Sequence, residues 1–303
     1  MVEKSTEFPK TDSVTLELII NKLKEINITI IDPSELTRHN LISEGGFGKV
    51  YKGLYKDIFV AIKELFLLVK PESINEVVNE IQVIEKADHK RLPIFYGVSI
   101  TNDSSFSLVF EFIDGKDYKL AYKDMSKQDN ISAMVQLCEI VDSMHKRKLI
   151  HRDLKPGNTI IQENNVVRLI DFGTTKIASR TLTFTKKSIG TVNYMAPENY
   201  DIDVDDEMNE NPISISPKTD VWSIGCMLCE IFSGVTPWTN KFKSVKSIES
   251  HLILKKKFPI PKELQDPSLL KIINMCLYID PEDRAELKDV IAELNALLDE
   301  KNE

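Results

Sequence analysis

A change of hydrophobic period near residue 113 divides this chain. From Leu41 to Phe112 the apolar residues come mainly in short runs, rich in β-branched and aromatic side chains and punctuated by glycine. That pattern predicts strands: one ahead of the glycines, then Lys49 to Leu54, Ile58 to Leu65, Phe95 to Thr101 and Phe106 to Phe112. One helix interrupts them, opened by the capping-box signature Ser73-Ile74-Asn75-Glu76 and continued by Val77, Val78, Ile81 and Ile84. Beyond Asp114-Gly115 the period is helical, over Ile131 to Lys146, Val221 to Phe232 and Glu286 to Leu298. The reading is an α+β chain of two lobes, a small β-rich one and a larger helical one, hinged near Phe112 to Gly115. Upstream, Leu16, Ile19, Ile20, Leu23 and Ile26 form a helical stripe that Asp12 or Ser13 caps, and Ile31-Asp32-Pro33-Ser34 breaks it. The domains are therefore read as an N-terminal extension, 1–37, carrying one amphipathic helix, and a main domain, 38–298. The main domain divides into an N-lobe, 38–112, and a C-lobe, 115–298.

No apolar run reaches the roughly 18 residues of a membrane span, and Met1 to Lys10 lacks the apolar core of a signal peptide. The four cysteines show no framework spacing, so a reducing, cytoplasmic setting is expected. Cys226 and Cys229 form a CxxC, but they lie in an apolar stretch without a second ligand pair and read as core thiols. A net charge of −8 offers no basic field for nucleic acid. An acidic chain that handles phosphates must neutralise them locally, with a few placed cations and metal ions.

The run Ser43-Glu44-Gly45-Gly46-Phe47-Gly48-Lys49-Val50 suits a phosphate-covering loop, because glycine lets backbone approach an anion closely. A tight hairpin is the plainer alternative. The strand Val60-Ala61-Ile62-Lys63 ends in a lysine, and the next helix supplies Glu80, a carboxylate able to hold Lys63 against phosphates. Far more specific is His151-Arg152-Asp153-Leu154-Lys155-Pro156-Gly157-Asn158. Asp171-Phe172-Gly173 begins thirteen residues after Asn158, and Ala196-Pro197-Glu198 follows. Their order, after the glycines and Lys63, is hard to reach by chance.

From roughly Leu41 to Leu298 the chain resembles the eukaryotic protein kinase family, in its serine/threonine form. The resemblance implies the two-lobed kinase fold with ATP and Mg2+ as cofactors and protein hydroxyls as acceptors. Ile42, Ser43, Glu44, Gly45, Gly46, Phe47 and Gly48 would cover the phosphates, with Lys63 on them and paired to Glu80. Asp153 would orient the acceptor hydroxyl and take its proton, beside Lys155, while Asn158 and Asp171 would hold magnesium. Glu111 to Ile113 resemble the segment that bonds adenine, with Phe110 as gatekeeper and Val50, Ala61 and Ile160 around the base. Asp220 resembles the buried anchor of the catalytic loop, and Arg284 the structural partner of Glu198. The opening Ile31 to Leu36 is most like the tyrosine-kinase-like group.

Lys155 and the segment Gly190 to Met195 resemble serine/threonine enzymes. A pseudokinase or scaffold module is the rival reading, set against the presence of Lys63, Asp153 and Asp171. A dual-specificity kinase is another, set against Lys155. Ser43 departs from the family, which usually has glycine there. The resemblance also implies that Arg152 and Lys176 bind a phosphate on Thr181, Thr183, Thr185 or Ser188, and that Thr174 favours threonine acceptors. The acidic run at 201–210 is read as a solvated loop or a docking surface for a basic partner.

Overall fold

The computed structural model describes residues 13–45, 48–65, 74–87, 89–101, 106–171, 176–177, 192–199, 216–254 and 256–299. Helix α1 (Ser13–Glu25) is followed by strands β1 (Ile30–Ile31), β2 (Leu36–Gly45), β3 (Gly48–Tyr55) and β4 (Ile58–Leu65). Next come helix α2 (Ile74–Lys86) and strands β5 (Phe95–Ile100) and β6 (Phe106–Glu111). The chain continues through β7 (Lys116–Asp117), α3 (Tyr118–Ala121), α4 (Lys127–Lys146), β8 (Leu149–Ile150), β9 (Thr159–Ile161), β10 (Val167–Leu169) and β11 (Lys176–Ile177). Helices α5 (Lys218–Ser233), α6 (Val245–Ile253), α7 (Pro267–Cys276) and α8 (Leu287–Asp299) complete the described elements.

Contacts divide the chain into two compact units. The first holds the described residues up to Lys86 together with Pro93–Ile113; the second holds Ala87–Leu92 and everything from Asp114 onward. The first unit is a six-stranded sheet in the order β1-β5-β6-β4-β3-β2. All its pairings are antiparallel except β1 with β5, which is parallel. Alternation sorts its side chains: Val60, Ile62 and Val109 are fully buried with Ile31 and Tyr55 in one cluster. Val50, Ala61, Lys63 and Phe110 leave from the other face. Helix α1 packs on α2, burying Ile19 and Leu23 completely, while Lys22 hydrogen-bonds Asn75.

The expected break at Ile31 to Ser34 contains more structure than the proline alone foretells. Ile30 and Ile31 pair with Val98 and Ser99, and Asp32 then caps a short turn by accepting from the Ser34 amide at 2.8 Å. Residues 87–92, expected in the small lobe, pack instead with the second unit. The Leu169 amide donates to the Arg91 carbonyl at 3.2 Å, Arg168 Nη2 to that of Leu92 at 3.2 Å, and Arg91 pairs with Glu139 at 3.0 Å.

The second unit is built around α4 and α5. Thirteen successive residues of α5, Thr219 to Ile231, are buried, because α4 and α7 both pack on it. At Gly225 an added Cβ would fall 2.6 Å from the Cys276 Cβ, so the α5–α7 contact is set by the missing side chain. All four cysteines are free and buried. Among the described residues, no helix is long and apolar enough to cross a membrane.

Candidate active site

In the second unit, the stretch after β8 cannot pair as sheet, and its backbone donors go to one side chain. Asp220, fully buried on the first turn of α5, accepts from the His151 amide at 2.9 Å and the Arg152 amide at 2.8 Å. His145, at the end of α4, lies 2.8 Å from the same carboxylate. Burial alone would raise the Asp220 carboxyl. The hydrogen bond and charge of His145, with the contacts from His151 and Arg152, outweigh it and hold the group below the usual carboxylate range. Arg152 takes a left-handed conformation, φ 69°. For a residue with a long side chain this costs on the order of 1 kcal/mol, and the Asp220 anchor holds it in place. Burial pushes the His151 imidazole below its ordinary value, so the ring is neutral at pH 7.

The next residues converge on Asp153. Lys155 Nζ sits 2.8 Å from its Oδ2, and Asn158 Nδ2 donates to its carbonyl at 2.7 Å and to Oδ2 at 3.1 Å. The side chain of Asp153 is only 10% exposed and that of Lys155 25%, so solvent screens this cluster weakly. The β9–β10 hairpin then sets Thr159 opposite Leu169, and the Ile170 amide donates to the Asn158 carbonyl at 2.8 Å. Asn158 thus sits one residue, and Asp171 two residues, beyond the same hairpin end. Asp171 is exposed and, like Arg152, left-handed, φ 64°. Ile160, half-buried, is the centre of β9.

In the first unit, cross-strand register places Val50 opposite Lys63 and Lys63 opposite Leu108, with Ala61 opposite Phe110. Partners in register share a face, so Val50, Ala61, Lys63 and Phe110 form one patch opposite the buried core. Ile42, Ser43 and Glu44 are exposed near the tip of the β2–β3 hairpin, and Gly45 pairs with Gly48. At Gly48, φ 154°, an added Cβ would meet the Glu64 carbonyl oxygen at 1.9 Å, so passage of β4 alone demands glycine there. The Glu111 amide is taken by the Ile94 carbonyl at 2.8 Å, and the Phe112 amide by that of Phe59 at 3.3 Å. Ile113 is buried, and its backbone makes no hydrogen bond among the described residues.

Every expected site residue that is described falls into one of these two groups, one in each unit. Gly46 and Phe47 lie outside the described residues, as do Phe172, Gly173, Thr174, the four candidate phosphorylation sites and the acidic run 201–210. Glu80 lies on α2, which places its backbone only. His145 was not singled out from the sequence. A histidine ending an amphipathic helix carries no signal of its own until α5 brings Asp220 beside it.

The residues fit magnesium-bound nucleotide. Asn158 turns its amide N–H groups to Asp153, leaving a carbonyl oxygen, and Asp171 adds a carboxylate; both are hard oxygen donors. Among the described residues no cluster of three or more His, Cys, Asp or Glu could hold a metal by itself. In the first unit, Ile113 offers a backbone donor and acceptor, unused among the described residues, of the kind a purine edge needs.

The protein kinase domain family matches residues 36–294. Serine/threonine-protein kinase TOUSLED of Arabidopsis thaliana is 28% identical over 269 residues, covering 82% of this chain. Mitogen-activated protein kinase kinase kinase A of Dictyostelium discoideum is 28% identical over 306 residues, covering 94%. Serine/threonine-protein kinase STY46 of Arabidopsis thaliana is 29% identical over 272 residues, covering 86%. The chain spans only 38%, 29% and 44% of the lengths of these relatives.

Proposed function

The chain belongs to the protein kinase domain family, and from that membership we propose that it transfers the γ-phosphate of Mg-ATP to serine and threonine hydroxyls of proteins. Bound ATP with its magnesium supplies the phosphoryl group and much of the charge neutralisation that the transfer requires. The chain's own residues supply placement. Asp153 accepts the hydrogen bond of the incoming hydroxyl and takes its proton. Asn158 holds Asp153 in orientation, and Lys155 offsets negative charge beside it. Asn158 and Asp171 would hold the magnesium. Lys63, with Glu80 as the partner the family resemblance implies, would meet the phosphates together with the loop from Ile42 to Gly48. In the first unit, Val50 and Ala61 would line the base, with Glu111 and Ile113 along its polar edge.

The observation that carries this reading is the fixed geometry at Asp153: a carboxylate clamped by Lys155 and Asn158, on a backbone pinned by Asp220. Catalysis of phosphoryl transfer is mainly positioning, and well-oriented reactants save about 7–11 kcal/mol of barrier. A single ion pair at about 4 Å is worth at most about 4 kcal/mol at an effective dielectric of 20, so the scaffold outweighs any one charge. The buried free thiols support the cytoplasmic setting expected from the sequence.

The test is magnesium-dependent transfer from γ-labelled ATP to a generic protein substrate, followed by phosphoamino-acid analysis. Phosphoserine and phosphothreonine are expected. Phosphotyrosine as the main product would overturn the acceptor class, and ATP binding without transfer would favour a scaffold.

A further inference from the structure

The core face of the six-stranded sheet changes character at its upper end. Glu64 pairs with Ser107 and Ser107 with Ser99, so these three side chains leave from one face, the face of Ile62 and Val109. Beside this polar row the chain from β1 to β2 passes over the sheet, and a cavity of about 360 Å3 remains between them, lined by Pro33, Leu36, Arg38, Glu64, Ser99, Thr101 and Ser107. Ser99 and Ser107 are each 2% exposed, and neither hydroxyl has a hydrogen-bond partner among the described residues. Buried hydroxyls are nearly always satisfied. Two of them facing one cavity large enough for a small molecule point to something that occupies it.

The lining says what kind of molecule. Arg38 Nη1 meets Glu64 Oε2 at 3.0 Å at the cavity wall. A guanidinium carries five N–H donors, more than one carboxylate can take. A cation and an anion side by side disfavour any ligand of net charge, since one of the two would face its own sign. A zwitterion suits both, with its carboxylate on Arg38, its ammonium on Glu64, and the serine hydroxyls donating or accepting as needed. Pro33 and Leu36 leave a small apolar side for a short side chain.

We infer that this cavity binds a small zwitterion of the α-amino-acid class. The site lies on the opposite face of β4 from Lys63, so it stands apart from the nucleotide-contacting patch and does not depend on the kinase reading.

Calorimetric titration of the full chain tests this, with a non-hydrolysable ATP analogue present to fill the nucleotide site. Glycine, L-serine, L-glutamine and L-leucine serve as probes. At least one should bind at a single saturable site. Its methyl ester, which lacks the carboxylate, and its N-acetyl form, which lacks the ammonium, should bind at least tenfold more weakly. Arg38→Gln and Ser107→Ala should each weaken binding tenfold or more. Ser107→Ala should do so without lowering the melting temperature, because the hydroxyl it removes has no partner. If that variant fails to fold, Arg38→Gln carries the test, since the Arg38 side chain is 40% exposed. Failure of all four probes, or unchanged affinity in Arg38→Gln, overturns the inference. So does a crystal soaked with the probes that shows only ordered water on the two serine hydroxyls.

Discussion

At the scale of single residues, the site rests on carboxylates with different tasks. Asp153 is the proposed acceptor of the hydroxyl proton, whereas Asp220 is sealed from solvent and acts through the backbone of His151 and Arg152. Replacing Lys63 by Met or Asp171 by Asn should abolish transfer while leaving the melting temperature within a few degrees of wild type. Undiminished turnover in either purified variant counts against the site assignment. Asp220 makes a different prediction. Its folded-state pKa is depressed below the ordinary 3.8, so its contribution to stability is complete above that value and is lost as pH falls below it. Asp220→Asn should therefore be less stable than wild type at pH values above the ordinary carboxylate range. The margin should shrink in acid below 3.8, and one that widened there would contradict the sign. Residues of the first kind are legible in a sequence because the chemistry dictates both their type and their spacing. His145 is not, because its role exists only once two helices distant in the chain have met.

At the scale of elements, periodicity serves long segments well and short ones badly. Thirteen residues of α1 carry a stripe that predicts its buried face, and Ile19 and Leu23 are indeed fully buried. Strand β1 has two residues, too few to show alternation, and it exists because β5 offers it a parallel edge. The same holds for residues 87–92, whose place with the second unit is decided by carbonyls meeting Arg168 and Leu169. Burial of α1 on α2 has a measurable consequence. Ile19→Ala should cost about 2–5 kcal/mol. Deleting residues 1–29 should cost at least as much, lowering the melting temperature by several degrees at roughly 2–4 °C per kcal/mol. An unchanged melting temperature after the deletion would mean that α1 contributes nothing to the folded state. Val14 and Leu18 stay 67% and 46% exposed, so their replacement by alanine should shift stability far less.

At the scale of the whole molecule, the second unit is tied across its sequence by one buried ion pair. Arg284 is fully buried against Glu198, with contacts of 2.8 and 2.7 Å. Its remaining donors go to the carbonyls of Tyr278, Lys218 and Ile279, and its guanidinium lies 5.1 Å from the Trp222 ring centre. Thr219 Oγ1 donates to Glu198 Oε1, the oxygen that also takes Arg284 Nη1, at 2.9 Å. Family resemblance suggested this pairing from residues 86 positions apart; the surrounding carbonyl cage could not be read from the sequence, because it depends on two distant segments, the start of α5 and the stretch after α7, closing on one side chain. The cage also decides the energetics. Two desolvated charges are not in themselves a large net gain, but removing one strands the other, at a cost of about 3–5 kcal/mol. Arg284→Met and Glu198→Leu should each destabilise by that amount in urea unfolding, since each leaves a buried charge or a set of carbonyls unmet. The double variant should cost clearly less than the sum, because no charge is stranded, although the carbonyls of Tyr278, Lys218 and Ile279 still lose their donor. The Michaelis constant for ATP, measured well below the melting transition, should be unchanged, since neither residue belongs to the nucleotide or hydroxyl sites. Additive single effects would show that the two side chains act separately, and that the cage around Arg284, not Glu198, supplies what holds the unit together.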